Sequence, residues 1–259
     1  CYPWQLAHSR GVKVIRKDAC GLQHINYNVE RVNLYESIAN NLEDMILHDA
    51  SQVGQKLPSE QTLAANFGVS RNVIRESLKL LKERQLIRLH VGEGAYIQKP
   101  GDQSVTDMLN RIVLMDSIDP IKIYELRTIL EVNACRMAAE NKDIDDNFDR
   151  LEAINQNMRE SMDATEKRVE LDLEFHSMVA HLSGNPLLEL FERSVAKLAV
   201  PVIRTALLPT SGNEAGICDH QRIIEALRKR DADEAVRLMN EHLRKSTQNY
   251  LDGNLIQTR

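Results

Sequence analysis

Between Pro58 and Ile97 the spacing of apolar residues changes from a helical repeat to an alternating one, and few folds accept that order of elements. Pro58-Ser59-Glu60 opens a short helix: Ser59 is placed to cap it, Glu60 favours the positive N-terminal end, and Gly68 supplies a stop after Leu63, Ala64 and Phe67. Ser70 caps a longer helix carrying Val73, Ile74, Ser77, Leu78 and Leu81. Ile87 and Leu89 then alternate with Arg88 and His90, Gly92-Glu93-Gly94 breaks the chain, and Ala95-Tyr96-Ile97 resumes. Two helices joined by a turn at Gly68, followed by a glycine-turned hairpin, predict a helix-turn-helix with a wing. An earlier helix, capped at Asn33 and striped by Leu34, Ile38, Leu42 and Ile46, completes the unit, and residues 49–57 read as a loop.

The helix after Ser70 carries Arg71, Arg75 and Lys79 on one face, with Ile74, Leu78 and Leu81 on the other. A single basic stripe is more readily a solvated helix face than a binding surface. The short helix before it and the hairpin after it favour a recognition helix, in which arginine pairs with guanine edges in the major groove. The net charge of −5 argues against a nucleic-acid partner only if its distribution is ignored. Residues 1–100 hold 13 Lys/Arg against 10 Asp/Glu, and residues 101–259 hold 20 against 28, so the positive excess lies where DNA would bind.

From Ser104 onward the periodicity is helical throughout, over 104–115, 120–140, 143–162, 166–183, 187–208, 215–229 and 232–251, with Pro201 expected to kink one helix. Aromatic residues make up only 4% of the chain, which suits packing by Leu, Ile, Val, Met and Ala, and the methionines read as core filler. The expected fold is mainly α: an N-terminal winged helix-turn-helix over 29–100 and a C-terminal all-α antiparallel helical bundle over 101–259. Residues 1–28 form a tail of no assigned role, without the continuous apolar stretch of a secretion signal. Cys1, Cys20, Cys135 and Cys218 are scattered, so neither a disulfide framework nor a cysteine metal site is expected, Cys218 reads as a buried structural residue, and a reducing cytoplasm follows.

Four residues of the second half invite a metal reading. Asp172 and His176 stand at i, i+4 on one helix, His220 lies early in the next-to-last helix and His242 within the last. If those helices face one another, three imidazoles and a carboxylate suit a borderline divalent ion such as Zn²⁺ or Ni²⁺. Taken singly, each is more often a local hydrogen-bonding residue than a ligand. His181, at i+5 from His176, points elsewhere. Arg127 interrupts the apolar stripe of Ile123, Leu126 and Leu130, where a guanidinium needs an anion; an ion pair with Glu131 is one way to supply it.

Leu57-Pro58-Ser59-Glu60, Leu63-Ala64, Gly68-Val69-Ser70-Arg71, Arg75-Glu76 and Gly92-Glu93-Gly94-Ala95-Tyr96-Ile97 resemble the GntR-family winged helix-turn-helix over about residues 31–98. That resemblance implies DNA contacts from Ser70, Arg71, Asn72, Arg75 and Gly94. Position 61 is commonly Arg in the family and is Gln61 here, a departure that bears on base preference. Leu126-Arg127, Leu130-Glu131, Asp172 with Phe175-His176, Ser183-Gly184-Asn185-Pro186-Leu187, His220 and His242-Leu243 are similar to the FCD effector domain of the FadR subfamily, over about 120–251. Its metal-binding members use an Asp and three His that fall on Asp172, His176, His220 and His242, and the resemblance implies that Arg127 meets the effector's carboxylate.

The expected protein is therefore a cytoplasmic transcription regulator, a homodimer on an inverted-repeat DNA operator, responding to a small organic or sugar acid at a Zn²⁺ or Ni²⁺ site. A metal-dependent enzyme built on the same Asp/His cluster, and a regulator for which the ion itself is the signal, are the competing readings.

Overall fold

The computed structural model of the protein describes residues 33–49, 52–142, 148–207 and 212–257. The 1–28 tail lies outside them. α1 (Leu34–His48) buries Ile38, Ala39, Leu42 and Ile46 against α3 (Arg71–Glu83), with α2 (Glu60–Phe67) packed beside them. The α2–α3 turn forms as its residues dictate: Ser59 Oγ accepts from the Thr62 amide at 3.1 Å, and Gly68 ends α2 in the left-handed region at φ +65°. Asn33 stands at the N-cap of α1, but its side chain bonds Glu36 at 3.1 Å rather than a helix amide.

β1 (Ile87–His90) and β2 (Gly94–Ile97) form the antiparallel wing. Residues 54–57, expected as plain loop, run along the free side of β2: the Gly54 and Leu57 amides donate to Ile97 and Ala95, and Ile97 donates to Gln55, each at 2.8 Å. Lacking alternation, this segment carried no strand signal; the ladder itself holds it, and Leu57 joins the core of Leu42, Ile74, Leu81, Ile87 and Ile97.

Everything after the wing is helical among the described residues: α4 (Asp102–Met115), α5 (Pro120–Glu140), α6 (Phe148–Glu160), α7 (Thr165–Leu182), α8 (Pro186–Leu198), α9 (Val200–Ala206), α10 (Gly212–Arg228) and α11 (Ala232–Gln257). Short links fold successive helices back on one another as a bundle. Asp119 caps α5 through the Ile121 amide at 2.9 Å, and Asn185 caps α8 through Leu187 and Leu188. The helix expected over 187–208 is divided at Ala199, because Pro201 has no amide to continue the ladder. α5 is the central element, packing on α7, α8, α10 and α11.

Met158, Met178 and Met239 are core residues as expected, whereas Met108 and Met115 are exposed on α4, which packs by one side only, against α8. No helix among the described residues is long and apolar enough to cross a membrane.

Candidate functional site

α3 owes its orientation to its apolar face. With Ile74, Ser77, Leu78 and Leu81 buried, the opposite face turns outward. Ser70, Arg71, Asn72 and Arg75, with Gln61 on α2 and Gly94 on the wing, are all exposed. Ser70 Oγ accepts from the Val73 amide at 3.4 Å. Neither arginine is idle: Arg75 Nε lies 2.8 Å and Arg71 Nη2 3.4 Å from one oxygen of Glu60. A pair this exposed is worth about 0–1 kcal/mol, so it aims the guanidinium groups without sequestering them from phosphate or a base edge. In the sequence Glu60 announces only a helix start; its second role appears once α2 and α3 are packed. Gly94 has φ +113°, and a Cβ there would lie 3.2 Å from Cε of Lys56, so the tip of the wing requires glycine.

In the bundle, α7 carries Asp172 and His176 one turn apart, facing inward among Val169, Phe175 and Val179. α10 supplies His220 and α11 supplies His242, all four residues being buried. One donor atom from each lies within 4.8 Å of the other three. Nε2 of His220 is 3.2 Å from Nε2 of His242, and Asp172 Oδ1 is 3.7 Å from His176 Nε2 and 3.9 Å from His220 Nε2. Burial holds His220 and His242 well below the ordinary imidazole range, and the neighbouring imidazoles and Arg127 push the same way. Both are thus neutral, the form that offers a lone pair. Both ring nitrogens of His176 are buried without a hydrogen-bond partner, and a cation among the four would satisfy Nε2. Nitrogen and carboxylate donors gathered this closely are compatible with a bound metal ion. Among the described residues this is the group that fits a metal. His181 stands apart, exposed and 3.0 Å from Glu189. Cys218, expected to be buried, is exposed, because α10 turns Asp219 and His220 inward instead.

Behind the cluster, Arg127 on α5 is only 1% exposed. Its Nε bonds Glu131, the ion pair left open above, while Nη1 reaches Tyr124 Oη at 3.3 Å and Nη2 reaches Asp172 Oδ2 at 3.5 Å. Glu131 Oε2 lies 2.6 Å from His176 Nδ1. Burial alone would raise the Glu131 carboxyl, but Arg127 and His176 bring it down to about 2, so it stays ionised. On α8 the opposite holds: burial, with Glu131 adding to it, pushes Glu192 well above the usual carboxylate range. Sequence reading singled out Arg127 and kept its pairing with Glu131 as one alternative, but did not reach the step from Glu131 to His176, which joins separate helices.

A cavity of about 160 Å³ opens beside Asp172, His220 and His242. Its lining is apolar in part, from Met158, Ile203 and Leu207, and polar in part, from Asp219, Lys245, Ser246 and Asn249. Lys245 Nζ bonds both oxygens of Asp219, at 3.1 and 3.0 Å. None of these polar residues was singled out by motif or spacing.

The FCD domain family matches residues 122–245, and the family described as bacterial regulatory proteins, gntR family, matches residues 34–97. The HTH-type transcriptional repressor NanR of Cronobacter sakazakii is 31% identical over 232 residues, covering 87% of this chain and 88% of that protein. NanR of Escherichia coli K12 is 29% identical over 219 residues, covering 82% of each. A solved structure of Streptococcus agalactiae GntR aligns with a TM-score of 0.65 at 26% identity, covering 83% of this chain and 99% of that one. The FCD match and the buried Asp/His cluster are together compatible with metal binding. With the recognition helix exposed and both family matches in place, the chain belongs to the GntR family of bacterial regulatory proteins, carries an FCD domain, and is a ligand-responsive DNA-binding regulator of transcription rather than an enzyme.

Proposed function

We propose that this regulator is a homodimeric repressor whose hold on an inverted-repeat operator is set by a small organic or sugar acid, bound at a divalent metal held by Asp172, His176, His220 and His242. The observation that carries the reading is the convergence of four buried donors from three helices beside a half-polar cavity. Zn²⁺ and Ni²⁺ fit the three-imidazole, one-carboxylate set best. Bound there, the ion would supply a Lewis-acidic anchor for a carboxylate and its neighbouring hydroxyl.

The residues do the rest. Arg127 does not line the cavity but turns its Nη edge towards Asp172 behind it, from where it would add positive charge for the effector's carboxylate, with Glu131 keeping the guanidinium in place. Lys245, Ser246 and Asn249 offer hydrogen bonds to the hydroxyls of the acid's far end, and Ile203 and Leu207 cover its carbon face. On the DNA side, Arg71 and Arg75 read base edges or phosphates, Ser70 and Asn72 bind at the start of the recognition helix, Gln61 contacts from α2, and Gly94 lets the wing backbone approach the groove. The two parts divide near residue 100, with 29–100 for DNA and 101–259 for effector binding and dimerisation. Met108, Ile112 and Met115 recur at helical spacing on the exposed side of α4, an apolar face suited to a second subunit. The curated relatives at 31% and 30% identity are named repressors, which supports that sign of regulation.

The deciding experiment is a thermal-shift screen of small carboxylates with Zn²⁺- and Ni²⁺-loaded protein, followed by operator titrations. An effector present at a hundred times its Kd should stabilise the protein by about 2.7 kcal/mol and change operator affinity only with metal bound. Operator affinity that responds to metal alone, and to no acid, would make the ion the signal instead.

A further inference from the structure

Three imidazoles converge on the proposed metal position, and each is held from behind in a different way. His220 is stacked on Phe175, ring centroids 3.8 Å apart and planes 9° from parallel, and its Nδ1 has no hydrogen-bond partner. For His242 the nearby carboxylate is Asp219, with 4.0 Å between Nδ1 and Oδ2, too long for a direct bond. His176 alone of the three has a carboxylate oxygen against Nδ1: Glu131 Oε2 at 2.6 Å, with both side chains at most 1% exposed, a close contact that lies off the line of a hydrogen bond. The other Glu131 oxygen bonds Nε of Arg127, four residues earlier on α5. One carboxylate thus bonds a guanidinium through one oxygen and sets the other against an imidazole of the cluster.

We propose that Glu131 is the positioning residue of the metal centre: with the ion bound, a small turn of the His176 ring lets Glu131 accept its Nδ1–H, which fixes that tautomer and holds Nε2 towards Asp172, His220 and His242. The proposal rests on the metal reading above and adds to it a role for a residue outside the ligand set. A carboxylate behind an imidazole locks the ring and makes the opposite nitrogen a stronger donor. Arg127 has two duties in the arrangement, since it holds Glu131 through Nε while Nη2 stands 3.5 Å from the carboxylate of Asp172. The Arg127–Glu131 pair therefore touches both ligands that α7 contributes. Simple neutralisation of Arg127 is not enough to explain the geometry, because it would not turn the second oxygen onto His176.

Removing Glu131 alone would strand a buried guanidinium, so the test uses double variants in which neither charge remains. R127M/E131Q keeps an acceptor for Nδ1–H; R127M/E131L does not. Zn²⁺ affinity is measured by competition with a chromophoric chelator, the Co²⁺ visible spectrum reports ligand geometry, and thermal unfolding of the metal-free proteins checks the fold. The expected result is Zn²⁺ binding about 10–100-fold weaker for the Leu variant than for the Gln variant, with an altered Co²⁺ spectrum and similar metal-free unfolding temperatures. Equal affinities overturn the positioning role and leave the metal reading standing, whereas a wild-type protein that binds no Zn²⁺ overturns both. ¹⁵N-histidine spectra of the Zn²⁺-loaded wild type, which need no variant to fold, provide an independent readout. A hydrogen-bonded Nδ1–H on His176 supports the role, and ligation through Nδ1 overturns it.

Discussion

Arg75 combines the two requirements of a reading residue, a side chain half exposed to solvent and a partner that orients it, Glu60 at 2.8 Å. Arg75→Ala should weaken operator binding by about 10-fold or more, the scale of one bidentate base contact. Effector-induced thermal stabilisation should be unchanged, and fluorescence anisotropy with a labelled operator checks the first point. His220 belongs to the helical bundle and is buried against Phe175. H220A should abolish stoichiometric Zn²⁺ binding, read by metal analysis after dialysis, while leaving metal-free binding to non-specific duplex at low salt intact. Residues of both kinds were legible in the sequence because their type and spacing are unusual. Glu131 was legible only as a neighbour of Arg127. Its contact with His176 crosses from α5 to α7, and no local pattern encodes such a contact.

Helices announced themselves well where a cap and an apolar stripe coincided, as at Ser59 and Ser70; the caps at Asp119 and Asn185 emerge from the structure. S70A removes the bond to the Val73 amide and should destabilise the winged domain by about 1 kcal/mol, measured by urea unfolding. The elements that escaped are those whose stability comes from a neighbour. Residues 54–57 are extended because β2 offers them a ladder, and α8 and α9 part at Ala199 because Pro201 withholds one amide from an otherwise continuous stripe. P201A should make that junction more helical without loss of the bundle, visible as slower amide exchange around Ala199.

At the scale of the whole molecule, α4 follows the wing directly and is tied to the effector bundle at its first residue. Asp102 lies 3.1 Å from both Arg193 and Lys197 of α8, and α8 also carries the buried Glu192 beside Arg127 and Glu131. These ion pairs offer a route by which a shift of α8 would reach the start of α4, next to the wing in sequence. D102A should leave effector affinity within about 2-fold while reducing the effector's influence on operator binding, because coupling is a free energy separable from either affinity. Paired titrations of effector and operator give that product directly; unchanged coupling would mean the signal leaves the bundle by another route.

Order of elements, the exposed basic face of α3 and the inward pairing of Asp172 with His176 were settled by local chemistry: hydrophobic period, capping side chains and glycine stops; the candidate metal set of Asp172, His176, His220 and His242 came from the family resemblance. The locally settled features depend on residues within a turn or two of each other, so the sequence alone could carry them. Packing decided the rest. Whether His220 and His242 meet the α7 pair, which anion answers Arg127, and what walls the cavity beside them depend on side chains far apart in the chain. Their encounter is fixed only when α5, α7, α10 and α11 bury their apolar faces together.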